Sequence, residues 1–239
     1  MSVRLSVVVL AWEQLDLTRR CVESVRSATD VDYELIVVDN GSGPEAAVYA
    51  TLASDLAVLN SHNRGFAAGM NDGLRVATGE FVAFVNNDTV LPDRWASQLC
   101  SGFDRFPSAG IVVPAVTASG NPINVRTEPG SDQVVLPPFR HLPSGVVYLM
   151  RADVARALGG WDERYGLASR EDLDLLFTIW ANGLDVIIDE RVLVEHESSA
   201  TADSQLDDKA ALWRRNGQIF VDRWSAATPE DVAIIDGTD

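Results

Sequence analysis

The sequence predicts an α/β fold: a mostly parallel central sheet with helices on both faces. Strand and helix patterns alternate through the first 90 residues with short connections. Those connections hold the Gly, Asn and Asp clusters of tight turns. The apolar run Glu80–Asp88, EFVAFVNND, reads as a fully buried strand, as expected where helices cover both sides of a parallel sheet.

Each element has its own signal. Arg4–Leu10 is a β-branched strand, and Leu15–Ala28 places Leu17, Cys21, Val22 and Val25 on one helical face. Glu34–Val38 is the next strand, stopped by Asp39-Asn40-Gly41-Ser42. A helix over Pro44–Ser54, a short strand over Ala57–Asn60 and a helix over Phe66–Ala77 follow, with Thr78-Gly79 closing the last before Glu80. Beyond Asp88 come a helix over Pro92–Phe106 and a strand near Gly110–Pro114. Thr117–Pro143 has little periodicity and five prolines, and reads as a long functional loop. Ser144–Met150 is a strand, Ala152–Leu158 a helix, and Glu171–Asn182 a stronger helix ended by Gly183. Leu184–Ile188 and Val192–Glu195 read as two short strands. Leu206, Ala210, Trp213, Gly217, Phe220 and Trp224 form the stripe of an amphipathic helix that packs on the main body. No internal repeat or linker divides the chain, so residues 1–239 are expected to form one domain.

With 46% apolar and 23% charged residues, the composition is that of a globular protein. A formal net charge of -16 argues against nucleic acid as a partner and against docking on anionic lipid. The acidic tail, rich in Asp from Asp203 onward, reads as solvated surface. The two cysteines, Cys21 and Cys100, lie on apolar helix faces and fit buried thiols rather than a disulfide framework. No apolar run reaches the length of a membrane span, and the start has no cleavage site. A cytoplasmic location is expected.

Four polar clusters fall at expected strand ends or helix starts: Asp39-Asn40, Asn63-Arg64-Gly65, Asn86-Asn87-Asp88 and Glu171-Asp172. In a parallel sheet these positions share one edge, where open α/β sheets bind ligands. A carboxylate at that edge suits a divalent cation against a diphosphate. Each cluster has a structural alternative: Asp39–Ser42 is a good turn by itself, Asn63-Arg64-Gly65 a helix entry, and Ser169–Asp172 fits a capping box with Ser169 as N-cap. His196, one of three histidines, follows a strand. The convergence of the clusters, rather than any one of them, carries the functional reading.

These segments resemble the family 2 inverting glycosyltransferases of the GT-A fold. The resemblance rests on SVVVLAWEQ with Cys21–Ser24 behind it, on YELIVVDNGS (Tyr33–Ser42), on NRGFAAGMNDGLRVATGEFVAFVNNDT (Asn63–Thr89), on GGWDERYGLASREDLDL (Gly159–Leu175) and on His196, in order from about Val3. The NNDT variant looks most like rhamnosyl- and galactofuranosyl-type members. The resemblance implies a Rossmann-like sandwich with residues 1–90 as the nucleotide-binding half, 91–200 as the acceptor and catalytic half, and 201–239 as a C-terminal helix and tail. It implies that Asp39 binds the base and that Ala11, Trp12 and Glu13 line the base and ribose. Asn63, Arg64, Asn86 and Asn87 would lie beside the nucleotide, with Arg64 near phosphate. Asp88 and His196 would hold Mn²⁺ or Mg²⁺. Asp172 would be the catalytic base, with Glu171 beside it. Trp161 and Asp162 would form the acceptor side, with 117–143, including Arg126, Arg140 and His141, as an acceptor lid.

The implied partners are a nucleotide-sugar donor (UDP-, dTDP- or GDP-linked) and a small-molecule, glycan or lipid-linked acceptor. No transmembrane segment is expected, and the C-terminal helix is the one hint of a homodimer. Two positions depart from the family pattern: Asn86 stands where the first acid of Asp-x-Asp is usual, and the first turn is Leu10-Ala11-Trp12-Glu13. A catalytically silent nucleotide-sugar or glycan-binding protein is the alternative that Asn86 keeps open. A nucleotidyltransferase is opposed by the lack of a Gly-rich loop after the first strand.

Overall fold

The computed structural model describes residues 4–118, 122–139, 142–197 and 209–225. Strands β1 (Leu5–Ala11), β2 (Tyr33–Asp39), β3 (Leu56–Leu59) and β4 (Phe81–Asn86) alternate with helices α1 (Leu15–Ala28), α2 (Pro44–Ala53) and α3 (Phe66–Val76). They pair in parallel in the order β3-β2-β1-β4. Then come β5 (Thr89–Val90), α4 (Trp95–Arg105), β6 (Ala109–Val116), a 3₁₀ turn (Pro122–Asn124), β7 (Gln133–Val135), β8 (Val147–Arg151) and α5 (Ala152–Ala157). A second 3₁₀ turn (Glu163–Tyr165), α6 (Glu171–Ala181), β9 (Asp185–His196) and α7 (Lys209–Trp224) complete the chain. The sheet continues β4-β8-β6-β9-β5, with β7 also on β9. This is the GT-A architecture: a mixed sheet with helices around it.

Successive residues of β1 point to opposite faces, and both faces are buried. Val7 and Val9 join Cys21, Val25, Val37, Trp95 and Leu99 on one side. Val8 and Leu10 join Ile36, Val38, Met70, Phe84, Phe177 and Phe220 on the other. Both cysteines are free and buried, as expected, and burial pushes their thiols up to about 12 (Cys21) and about 11 (Cys100).

β8 runs antiparallel to both β4 and β6, which brings its amino end beside Asn86. Two expectations are corrected. The two short strands after Gly183 are one strand, β9, whose pairing with β6 shifts register after Pro114 and Asp189. Asp189 there is wholly buried but paired with Arg191 (2.6 Å) and Gln133 (2.7 Å), so the acid does not end the strand. Inside the expected loop, Gln133–Val135 adds β7 to β9.

The entry to α3 is fixed by close backbone contact. Gly65 has φ 88°, and a methyl group there would overlap the Gly166 carbonyl oxygen. Phe66 N–H donates to Leu167 O at 3.1 Å beside it. Gly65→Ala is therefore expected to lower stability by about 2 kcal/mol through strain and overlap together. Urea unfolding checks this, and a change within experimental error would show that the two loops separate freely.

Candidate functional site

At the carboxyl edge of β2, a network centred on Asn40 joins two of the four polar clusters, Asp39-Asn40 and Asn63-Arg64-Gly65. Its Nδ2 donates to Asn63 Oδ1 (2.9 Å) and Gly65 O (3.2 Å). Its Oδ1 accepts from Asn60 Nδ2 and from Arg64 N–H, both at 3.1 Å. Asp39 is buried, and its Oδ1 accepts Ser42 N–H at 3.1 Å, closing the turn after β2. Ala11 O accepts Asn40 N–H at 2.8 Å, and Glu13 N–H donates to Ser42 Oγ at 2.7 Å. Trp12 is half-buried and Glu13 exposed on this turn, where Glu13 (φ 52°) and Gln14 (φ 44°) are left-handed.

Arg64 stands at this edge, but its guanidinium is engaged. Nη1 contacts both Asp72 oxygens at 2.5 and 2.6 Å, and Nη2 lies 3.8 Å from Glu163. Asp72 is also held by Arg75 and Asn60. Burial alone would raise the Asp72 carboxyl, but these partners hold it below its usual range. Reaching a phosphate would require Arg64 to loosen this pair.

The Asn86-Asn87-Asp88 run divides by direction. Asn87 turns inward, donating to Thr18 Oγ1 at 3.0 Å. Asn86 Oδ1 and Asp88 Oδ1 are buried without a hydrogen-bond partner among the described residues. The short ladder Thr89↔His196 and Val90↔Glu195 brings Asp88 beside His196, and Asp88 Oδ2 lies 3.4 Å from His196 Nε2. Nδ1 of His196 is 2.8 Å from Ala118 O, which assigns it the proton and leaves Nε2 to face the carboxylate. Burial lowers the imidazole pKa, but the Asp88 hydrogen bond and charge outweigh it and raise it. A cavity of about 440 Å³ opens beside the pair, lined by Leu17, Arg20, Thr117 and Glu195 among others. No group of three or more His, Cys, Asp or Glu that could hold a metal occurs among the described residues. The orphaned Asp88 oxygen and the oriented Nε2 nevertheless fit a divalent cation that takes its other ligands from a diphosphate and water.

Glu171 and Asp172 open α6. The helix does not start as the capping box predicts: its N-cap is Arg170, without a side-chain cap, and Ser169 has φ 81°. Glu171 Oε2 is buried and unpartnered among the described residues. Burial, then the Asp172 charge, push Glu171 from the ordinary 4.5 up to about 8. Burial raises Asp172 too, opposed by the Leu173 amide at 2.8 Å and by the charge of Arg170. At neutral pH such a pair titrates as a unit. A carboxyl with a raised pKa gives its full contribution below its unfolded value, and that stability is lost as pH rises through the folded value. Glu171→Gln is expected to be nearly neutral at about pH 5 and to stabilise by about 1–3 kcal/mol at about pH 9. Urea unfolding at both pH values checks the sign; an equal effect at both would exclude ionisation of Glu171 as the source.

Tyr148 comes close to these acids. Its hydroxyl is fully buried and unpartnered among the described residues, and burial, then the charges of Asp172 and Glu171, raise its pKa well above 10. Gly145 makes room for it, since a Cβ there would overlap the phenol oxygen.

Trp161 and Asp162, expected on the acceptor side, are held by packing and hydrogen bonds, and Trp161 Nε1 is buried without a partner among the described residues. Trp161 is 2% exposed and packs against Phe66, Tyr148 and Phe84 with ring centroids at 5.0, 5.2 and 5.4 Å. Asn71 clamps its backbone through two hydrogen bonds of 2.9 Å. Asp162 caps the turn at Arg164 N–H and pairs with Arg164 (2.6 Å) and Arg223 (2.9 Å). Arg126 of the expected lid is bound to Glu190, while Arg140 and His141 lie outside the described residues.

Residues 6–143, more than half of the chain, match the family model Glycosyl transferase family 2. The chain belongs to that family. Similar proteins include the pre-mycofactocin glycosyltransferase of Mycobacterium tuberculosis, 28% identical over 207 residues, covering 80% of this chain and 42% of the relative. The O-antigen biosynthesis protein RfbC of Myxococcus xanthus is 25% identical over 240 residues, covering 88% of this chain and 18% of the relative. The family 2 chain thus spans less than half the length of these relatives. The fold is shared with GalNAc-T7, solved with UDP, GalNAc and Mn²⁺ (TM-score 0.65, 14% identity, 82% of this chain and 44% of that one). It is shared also with S. aureus TarS 1–349 (TM-score 0.62, 17% identity, 80% and 60%).

Sequence reasoning passed over Asp174 and Asn216, both buried and polar. Asp174 accepts from Tyr165 Oη (3.1 Å) and Trp224 Nε1 (2.9 Å) and pairs with Arg223 (2.5 Å). For Asp174 the available signal was an acid between Leu173 and Leu175; Asn216, between Arg215 and Gly217, carried no such signal.

Proposed function

We propose that this family 2 chain is an inverting glycosyltransferase that moves a sugar from a nucleotide-diphosphate sugar to an acceptor hydroxyl. The observation that carries the reading is the presence of two unlike acidic sites. One is the Asp88–His196 pair, with an oxygen left over; the other is Glu171–Asp172 at the start of α6. When bound, a divalent cation such as Mn²⁺ or Mg²⁺ supplies charge neutralisation to a departing diphosphate, and Asp88 and His196 would hold it.

The chain's own residues do the rest. Asp39 and the turn at Ala11–Glu13 receive the base and ribose, beside Asn63 and Asn86. Asp172 takes the proton of the acceptor hydroxyl as that oxygen bonds to the anomeric carbon. The bond from that carbon to the diphosphate oxygen breaks, and its electron pair leaves with the diphosphate. A single displacement inverts the anomeric centre, whereas a retaining double displacement would need a nucleophile close to the sugar. The NNDT sequence supports a rhamnosyl- or galactofuranosyl-type donor. We read 1–239 as one catalytic domain acting in the cytoplasm. Its buried free thiols suit that compartment, and no helix among the described residues is long and apolar enough to cross a membrane. The single acid in Asn86-Asn87-Asp88 supports a second reading, a silent binding protein.

A thermal-shift panel of UDP, dTDP and GDP, each with Mn²⁺ and with EDTA, tests the site. One diphosphate is expected to stabilise the protein selectively and only with metal. In Asp88→Ala that metal-dependent increment should fall at least about tenfold in affinity, equivalent to about 1.4 kcal/mol. An unchanged increment would remove Asp88 from the cation site. Metal-dependent binding without release of diphosphate from the matching nucleotide-sugar would favour the silent reading.

A further inference from the structure

We infer that Asn216 on α7 is a positioning residue that holds the Glu171–Asp172 carboxylates in place for transfer; the inference rests on the proposed role of Asp172 as base. The loop leading into α6 is strained. Ser169 (φ 81°) and Arg170 (φ 75°) are consecutive non-glycine residues in the left-handed region, each at a cost of about 1–2 kcal/mol. Such a conformation persists only where its surroundings impose it. Because Arg170 is the N-cap of α6, its backbone angles set the direction of the first helical turn, which bears both acids.

Asn216 supplies what imposes it. Its side chain is wholly buried, and Nδ2 donates to Tyr165 O (2.8 Å), Ala168 O (2.7 Å) and Ser169 O (3.0 Å). Three carbonyls that the turn directs to one point are met by one carboxamide. Asn216 Oδ1 accepts from Arg215 Nη1 at 2.8 Å, and Arg215 Nη2 donates to Arg164 O at 3.0 Å, so the donor is itself oriented. The helix behind it is anchored. Phe220 packs on Phe177 (4.9 Å), and Arg223 and Trp224 bind Asp174. On its other side the loop meets Gly65 and Phe66. It is held between the entry of α3 and the middle of α7. The carboxamide has two hydrogens, so one is shared between two of the three carbonyls; Asp has no donor to offer, and Ala removes all three bonds.

The test uses the full chain with Asn216→Ala and Asn216→Asp, each alone and combined with Ser169→Gly. Hydrogen exchange of amides 165–173 is expected to quicken at least tenfold in both single variants, with amides of β1 and β2 unchanged. Hydrolytic release of diphosphate from UDP-, dTDP- or GDP-sugar, measured well below the melting temperature, should fall at least tenfold. Affinity for the corresponding diphosphate with Mn²⁺ should stay within twofold, a split that a general loss of structure would not give. Because glycine tolerates the left-handed angle, Ser169→Gly should shrink the loss of melting temperature caused by Asn216→Ala. Unchanged exchange, release within twofold of wild type, or an equal melting loss in both backgrounds overturns the inference. Absence of release by the wild-type protein sinks the transferase reading instead, while the exchange and melting data still decide whether Asn216 holds the loop.

Discussion

Asp172→Asn is expected to slow sugar transfer by about 10²–10⁴-fold, the range of a removed general base. Asparagine keeps the shape of the side chain and can still accept the Leu173 amide hydrogen bond, at 2.8 Å in the parent, so α6 should start as before. What disappears is the ability to take a proton. The nucleotide edge at Asp39 and the Asp88–His196 pair lie on other elements, so diphosphate affinity with Mn²⁺ should stay within about twofold. Release of diphosphate from the nucleotide-sugar and a binding titration together check the split. Retained turnover would shift the base to Glu171, whose carboxyl is more deeply buried and pushed up to about 8.

Asp174→Ala carries the largest expected stability effect, a loss of about 3–5 kcal/mol, as for one partner removed from a buried ion pair. Asp174 is 2% exposed and serves the Tyr165 hydroxyl, the Trp224 indole and the Arg223 guanidinium together. Burial, with Asp162 adding to it, raises this carboxyl, while Trp224 and Arg223 pull it down. The cost of removal lies in the three donors it would strand. Asp174→Asn should lose less, since an amide oxygen still accepts. Urea unfolding of both variants decides the matter, and a loss below about 1 kcal/mol for the alanine form would mean that water replaces the acid.

The parallel half of the fold was legible because its signals are local. β1 and β2 lie within about a residue of their expected bounds, set by β-branched runs and by turns such as Asp39–Ser42. The direction of β8 was not, since it depends on which strand Val147–Arg151 meets, and its partner Phe81–Val85 lies far back in the chain. β9 was split because Asp189-Glu190-Arg191 looks like a turn; only the distant Gln133 and the local Arg191 make a buried acid tolerable there. The site divides in the same way. Asp88, Glu171 and Asp172 declare themselves by standing at element ends. Whether Arg64 is available for a phosphate, whether Trp161 faces solvent, and what steadies the loop before α6 depend on partners at Asp72, Phe84 and Asn216. Of the C-terminal stripe, Phe220 and Trp224 pack on Phe177 as expected and Gly217 is buried, whereas Ala210 and Trp213 are exposed and Leu206 lies outside the described residues.

The order of assembly during synthesis follows from where these contacts lie along the chain. The pairings of β1, β2 and β3 and the hydrogen bonds of Asn40 lie within the first 90 residues, whereas β4 also pairs with β8, the entry of α3 meets Leu167 and Asp88 meets His196. The loop that aims Glu171 and Asp172 gains its three carbonyl contacts only when residue 216 has left the ribosome. The proposed nucleotide edge is therefore synthesised before the proposed catalytic loop, and the cation pair is completed only once residue 196 has been added.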